Sequence, residues 1–218
     1  CNGCTNHCHL TINTFSDGKR FISGNRCEKA YGIKKETADD INLYEFKRQK
    51  LLSYGGGNGE RGVIGIPMSL GIYELLPLWS GIFRSLGFKV LLSGLSTRRT
   101  YEKGQFSIPS DTACYPAKLM HGHIEELIEQ KPDAIFYPCL SYNVDEKMSQ
   151  NHYNCPVVAY YSELLAGNVD ELKNTRFLYP YLNINNPRRL AKELSSFLTE
   201  KLCPVSYKEA RRAVEKGF

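Results

Sequence analysis

The chain has 218 residues, of which 42% are hydrophobic and 23% charged, enough for one ordinary core with a small appendage and the wrong composition for wholesale disorder. Its formal net charge of +5 is scattered, which suits an anionic ligand but not a nucleic-acid reader, where a basic stripe or a recognisable module is needed. No apolar run approaches the ~20 residues of a membrane-spanning helix, and the opening Cys1-Asn2-Gly3-Cys4 is not the basic-then-apolar start of a signal peptide.

The chain lacks an initiator Met, and Tyr207–Lys216 reads as a helix cut short, so a piece of a longer polypeptide is expected. Eight cysteines are many for this size. In a secreted protein they would imply disulfides. An α/β domain of cytoplasmic type, with half of the cysteines in its first 27 residues, makes metal ligation the better reading.

Three parts follow in order: a cysteine-rich head (1–30), a helical connector with a glycine-rich joint (31–60), and a Rossmann-like α/β domain (61–218). In the head, Cys1-x2-Cys4-x3-Cys8 is followed by Cys27. Cys-x2-Cys puts two thiolates on one tight turn, and Cys8 and Cys27 complete a four-thiolate set for zinc or an iron–sulfur cluster. His7 and His9 are substitutes, and disulfides or free thiols are the plainer alternative. Leu10–Ile12 and Arg20–Ile22 read as a hairpin around Ser16-Asp17-Gly18. So small a unit has little core of its own, so a structural staple is expected. The connector reads as a polar helix over about 36–53, ending in Tyr54-Gly55-Gly56-Gly57-Asn58-Gly59, a flexible joint.

From residue 61 strand and helix signals alternate. Val63–Pro67 reads as a strand. Ile72, Leu75, Leu76, Trp79, Ile82, Phe83 and Leu86 then recur at helical spacing, with Gly87 as the stop and Pro77 implying a kink or a late start. Phe88–Ser93 is the second strand. A helix follows from about Cys114 to Glu129, with Ser110 and Asp111 as cap candidates and Pro116 in its first turn. Ala134–Tyr137, Pro156–Tyr161 and Arg176–Tyr179 read as the third, fourth and fifth strands, and Pro187–Leu202 as a helix facing inward through Leu190, Leu194 and Leu198. This alternation argues a parallel sheet with helices on both faces.

Cys139 follows the third strand and so stands at the carboxyl edge, where doubly wound folds bind ligands. Cys114, at a helix start, faces the same edge, and helix amino ends favour thiolates. Tyr115-Pro116 and Tyr137-Pro138 beside them are candidates to shield a cluster from water. Ser162 and Glu163, just past the fourth strand, are placed for an oxygen ligand or a polar contact. Cys155, before a strand, and Cys203, after a helix, fall on the opposite edge as structural or surface thiols. The alternative for Cys114 and Cys139 is that they pack as small hydrophobes. His121 and His123 do not share a helix face, and read as surface or packing residues. Ser69 and Gly71, and Ser96–Arg99, are weak anion-contact candidates; no full glycine fingerprint for a dinucleotide is present.

Asn25-Arg26-Cys27-Glu28, Ile66-Pro67 with Tyr73-Glu74, Tyr101-Glu102-Lys103-Gly104, Cys114-Tyr115-Pro116-Ala117-Lys118 with His121-Gly122-His123, and Phe136-Tyr137-Pro138-Cys139 together resemble large CoA-substrate-specific enzyme activase-like proteins. That family is related to the activator of 2-hydroxyacyl-CoA dehydratase and to benzoyl-CoA reductase subunits. The chain shows no phosphate-loop signature of the actin-like ATPase modules and resembles the portion that follows them. The resemblance implies Cys114 and Cys139 as ligands of an iron–sulfur cluster, leaves the third ligand open, and implies ATP-driven low-potential electron transfer. The implied partners are the rest of a larger polypeptide with its ATPase modules, and an acyl-CoA substrate or a dehydratase-like partner. The alternative is a non-catalytic, zinc-stapled scaffold or partner-binding domain.

Overall fold

A computed structural model describes residues 1–3, 6–32 and 42–218. It divides into two compact units, Cys1–Tyr44 and Glu45–Phe218. In the first, β1 (Thr11–Thr14) and β2 (Arg20–Ser23) form an antiparallel hairpin with Ile12 opposite Ile22. The turn between them needs Gly18, whose φ of 80° lies in the left-handed region. A short 3-10 turn, Glu28–Tyr31, follows Cys27. Ile22 is buried, but Ile12, Phe15 and Phe21 are more than half exposed. This hairpin has almost no core.

α1 (Leu43–Leu52), which belongs to the second unit from Glu45 onward, buries Leu51. The expected helix began earlier, at residues that lie partly outside the described ones. The glycine run that follows is not a free joint: Gly56 exchanges two backbone hydrogen bonds of 2.8 Å with Val90. A Cβ on Gly57 would stand 2.5 Å from Phe88 O, so the chain lies flush on that strand.

β3 (Val63–Ile66), β4 (Lys89–Leu92), β5 (Ala134–Phe136) and β6 (Phe177–Leu178) form one parallel sheet in the order β4-β3-β5-β6. The chain runs outward from β3 to β4 and then returns past β3 to β5, so the strand order reverses between β3 and β5. In such folds the ligand crevice opens at the carboxyl ends of those two strands.

α2 (Leu70–Ser85) starts at Leu70 and runs through Pro77, so the late start did not occur. Its Trp79 and Phe83 pack edge-on against Phe136, with centroids 5.0 and 4.8 Å apart. α6 (Pro187–Lys201) and α7 (Tyr207–Gly217) join α2 on this face, α7 opening with a Ser206/Glu209 capping box. α3 (Arg98–Gly104), α4 (Tyr115–Gln130) and α5 (Pro156–Asn168) form the other layer, with Leu127 of α4 over Gly65.

The sheet therefore has four strands, and one expected strand is a helix. Pro156–Tyr161 opens α5. The apolar run Val157-Val158-Ala159-Tyr160-Tyr161 looks strand-like in composition. Its burial, however, recurs at Ala159, Ser162 and Leu165, a helical period, and Pro156 stands in the first turn, where its missing N–H costs nothing. The cap of α4 also differs: Cys114 holds that position, while Ser110 turns inward on Thr112 N at 3.2 Å and Asp111 O accepts from Lys118 Nζ at 2.8 Å.

Candidate functional site

The correction to α5 moves a cysteine. Cys155 is the residue that caps this helix, its sulfur accepting from Val158 N at 3.4 Å. α5 leads away from the carboxyl edge, so Cys155 stands on the edge where β5 ends, not on the opposite one. Three cysteines now share that edge: Cys114 capping α4, Cys155 capping α5, and Cys139 just past β5. Cys203 follows α6 at the other end and packs against the core.

The helix starts meet there. Ser69, which precedes α2, donates its hydroxyl to Pro116 O in the first turn of α4 at 3.1 Å. A Cβ on Gly71 would stand 2.9 Å from Val158 Cγ1 in the first turn of α5. Leu70 between them has a φ of 52°, a conformation that a branched side chain adopts only where its surroundings hold it. Three helix amino ends therefore gather around the thiols, an environment that favours negative charge.

Cys139 is the buried member, 1% exposed. It extends the β5·β6 ladder by one step, donating its N–H to Pro180 O at 2.9 Å and accepting from Leu182 N at 3.1 Å. Its sulfur lies 2.9 Å from Ser162 Oγ. Burial pushes the Cys139 thiol up, with the Ser162 hydrogen bond opposing, the Glu163 charge adding, and Tyr181 opposing. Ser162 and Glu163 are thus not past a strand end but two turns inside α5. There Ser162 is buried against Cys139, and Glu163 accepts a hydrogen bond from the Tyr181 hydroxyl. That bond, then burial, holds the Tyr181 phenol well above its usual range. Cys114 and Cys155 are exposed.

Tyrosines are frequent in these segments. Tyr161 is pushed up to about 12 by burial and then by the Cys114 charge. Tyr160 stands over Tyr181 at 6.2 Å, and Tyr142 over Tyr153 at 4.3 Å with their hydroxyls 2.7 Å apart. Tyr137 is 2% exposed, and among the described residues its hydroxyl finds no hydrogen-bond partner.

The two histidines of α4 are fully buried rather than on the surface. His123 Nδ1 lies 2.9 Å from Ser93 Oγ and Nε2 lies 2.8 Å from Ser96 Oγ. Ser93 Oγ also accepts from Met68 N at 2.8 Å, and the His123 ring bridges the two serines in either tautomer. For His121 the partners fix the tautomer. Ser107 gives its proton to Gly104 O at 3.1 Å, so it accepts from His121 Nδ1 at 2.8 Å, and Nε2 accepts from Tyr161 Oη at 3.0 Å. Burial pulls both rings down to about 4, so both are neutral at pH 7. They tie the start of α4 to the β4 end, to α3 and to α5.

Among the described residues, no three His, Cys, Asp or Glu side chains stand close enough to hold one metal ion. A single tetrahedral ion with Zn–S bonds of about 2.3 Å needs its sulfurs within about 4 Å of one another. The edge thiols do not make that site. A polynuclear cluster takes one thiolate per iron and suits donors set wider apart; the donor set of three cysteines, beside gathered helix amino ends and an unpaired buried hydroxyl, fits such a group.

In the head, Cys4 lies outside the described residues. The Cys1 amino group donates to Cys8 O at 2.8 Å, and Lys29, two residues past Cys27, reaches Gly3 O at 3.4 Å. The segments bearing Cys1, Cys8 and Cys27 are therefore gathered at one end of the hairpin. All seven described cysteines are free thiols.

Sequence reasoning put Cys155 on the opposite edge and gave Tyr137 a shielding role, without foreseeing that its hydroxyl is buried and unpaired among the described residues. The signal for Cys155 was the Cys-Pro pair, repeated one residue apart in Cys114-Tyr115-Pro116 and Cys155-Pro156: a proline after a small polar residue marks a helix start. No match exists among curated proteins or solved structures. Residues 63–218 match the family model described as the CoA enzyme activase uncharacterised domain. That is well over half of the chain and the whole of the α/β sheet with its flanking helices, so the chain belongs to the CoA enzyme activase domain family.

Proposed function

We propose that the α/β unit binds an iron–sulfur cluster through Cys114, Cys139 and Cys155, and serves ATP-driven low-potential electron transfer in a CoA enzyme activase related to 2-hydroxyacyl-CoA dehydratases and benzoyl-CoA reductases. The observation that carries this reading is the meeting of three cysteines at the one sheet edge where the strand order reverses. When bound, the cluster supplies one-electron chemistry at low potential.

The residues of the chain supply the rest. The three helix starts offset the negative charge that thiolates bring. Ser162 holds the Cys139 sulfur, and Tyr181 with Glu163 closes the site on that side. In the head, Cys1, Cys4, Cys8 and Cys27 hold zinc or a second cluster as a staple for a hairpin whose core is too small to stand alone. The ATPase modules of the remaining polypeptide would supply the electron, and an acyl-CoA-bound or dehydratase-like acceptor would take it. No helix among the described residues is long and apolar enough to cross a membrane, and we place the reaction in the cytoplasm.

A second reading is a zinc-stapled scaffold in which the edge cysteines only pack and cap, as Cys139 does on Ser162 and Cys155 on Val158 N. One experiment separates them: iron, sulfide and zinc content with a visible spectrum, after anaerobic purification, for the wild type and for Cys114→Ser, Cys139→Ser and Cys155→Ser. Broad absorption near ~400 nm from thiolate-to-iron charge transfer, lost in each variant, supports the cluster. Zinc alone, unchanged by the three substitutions, confines metal to the head and establishes the scaffold.

A further inference from the structure

Tyr137 is the residue after β5, two before Cys139. Side chains alternate along a strand. Phe136 points to α2 and fills the core against Trp79 and Phe83, so Tyr137 points to the opposite layer, where α5 lies. Its hydroxyl is sealed from solvent and pairs with none of the described residues. A phenol in such a place normally finds a partner, and Phe would fill the same space without the cost of an unmade hydrogen bond. Tyr137 and Cys139 are two residues apart on a chain that keeps the β5·β6 ladder, so both face the layer of α5, where Cys139 meets Ser162 and where Cys155 caps the helix. The unpaired hydroxyl is therefore buried on the side of the sheet that carries these two thiols. Tyr161 Oη, which donates to His121, does not pair with it either.

We infer that Tyr137 is the hydrogen-bond donor to the sulfur of the group held by Cys139 and Cys155, and that it sets how readily that group accepts an electron. The inference rests on the cluster reading above. A donor aimed at sulfur stabilises the electron-rich reduced state more than the oxidised one, and so raises the reduction potential. In the empty protein the same hydroxyl is a liability. Two opposite effects of one substitution follow, one in each state.

The test is Tyr137→Phe, which keeps the ring and removes only the donor. The empty protein, chelated and reduced, should melt higher than wild type by about 2 to 4 °C, because a buried unmet hydroxyl is removed. The loaded variant should bind the same iron and sulfide per chain, show a lower midpoint in mediated potentiometric titration, and gain less in melting temperature on loading than the wild type does. Equal iron in both proteins with an unchanged midpoint overturns the role of Tyr137 and leaves the cluster reading standing. Absence of iron from both proteins overturns both. An empty Tyr137→Phe protein that melts lower than wild type shows that the hydroxyl is already satisfied by the protein, which also overturns the inference.

Discussion

The layer that carries the site depends on one contact that leaves no room for a methyl group. α3 crosses α4 with backbone against backbone: a Cβ on Gly122 would stand 1.7 Å from Thr100 O and 2.6 Å from Thr100 C, and a Cβ on Gly104 would stand 2.2 Å from Gly122 N. Ordinary contact needs about 3.5 Å, so Gly122→Ala forces α3 to retreat by roughly 2 Å. α3 cannot retreat freely, because its own Thr97/Thr100 capping box fixes its start, while Ser96 and Ser107 at its two ends hold His123 and His121. Overpacking of a fixed contact costs about 1–3 kcal/mol and occasionally more. In the opposite direction, Ala is better than Gly inside a helix by about 1 kcal/mol. Moving backbone rather than a side chain puts Gly122→Ala at the upper end, and we expect a net loss of about 2–3 kcal/mol, or roughly 5–10 °C in melting temperature. Urea unfolding followed by circular dichroism measures it. Gly167→Ala is the control, since nothing lies within 4 Å of a Cβ there; it should be neutral or stabilising. If Gly122→Ala is as stable as wild type, the close crossing of α3 on α4 is wrong, and with it the placement of both histidines.

Two further expectations concern charge and metal. His121 and His123 have folded pKa values pulled from 6.5 to about 4, so between those values the unfolded chain binds more protons than the folded one. The stability they allow is complete above about pH 6.5 and falls as pH drops toward 4, by on the order of 3 kcal/mol per ring. Proton NMR titration of the imidazoles checks this, and a ring that titrates near 6.5 in the folded protein refutes its burial. In the head, Cys27→Ser or a zinc chelator should abolish the ordered amide signals of Thr11–Ser23 while leaving the melting of the α/β unit in place, because that hairpin buries little besides Ile22. Persistence of those signals in metal-free protein argues against a metal staple.

Where the sequence carried a periodic signal, the fold was legible. The stripe Ile72, Leu76, Trp79, Ile82 and Phe83 gives α2, and Leu190, Leu194 and Leu198 give α6, because in each case one face is buried and the other is wet. The strands β3, β4 and β5 were equally plain as short apolar runs ended by proline, glycine or charge. The run at 157–161 was not, since the exposed face of α5 carries Tyr160 and Gly167 with Glu163 as its one charge, so little polarity marks its period, and β-branched valines then bias the reading toward strand. Close backbone approach is invisible in composition as well: His121-Gly122-His123 reads as surface or packing residues, and nothing in it shows that Gly122 is there for Thr100 and the histidines for serines on either side.

That single ambiguity decided how the site was read. A strand runs toward the carboxyl edge and a helix in this fold runs away from it, so exchanging one for the other sends the residue before Pro156 to the opposite end of the sheet. With a strand, Cys155 is remote and Cys114 and Cys139 form a pair too small to ligate a cluster. With a helix, the same cysteine stands at the crevice, on the side of the sheet that Tyr137 and Cys139 face. The parallel pairing of β5 with β6 fixes that direction, since the helix between them has to start where β5 ends. Ser162, midway along α5, then packs on the sulfur of Cys139, a contact that exists independently of any metal. Pairwise substitution of Cys139 and Ser162 by alanine should be markedly non-additive in stability, as expected for two buried groups in contact; additive losses would refute that contact and the seating of α5 on the end of β5.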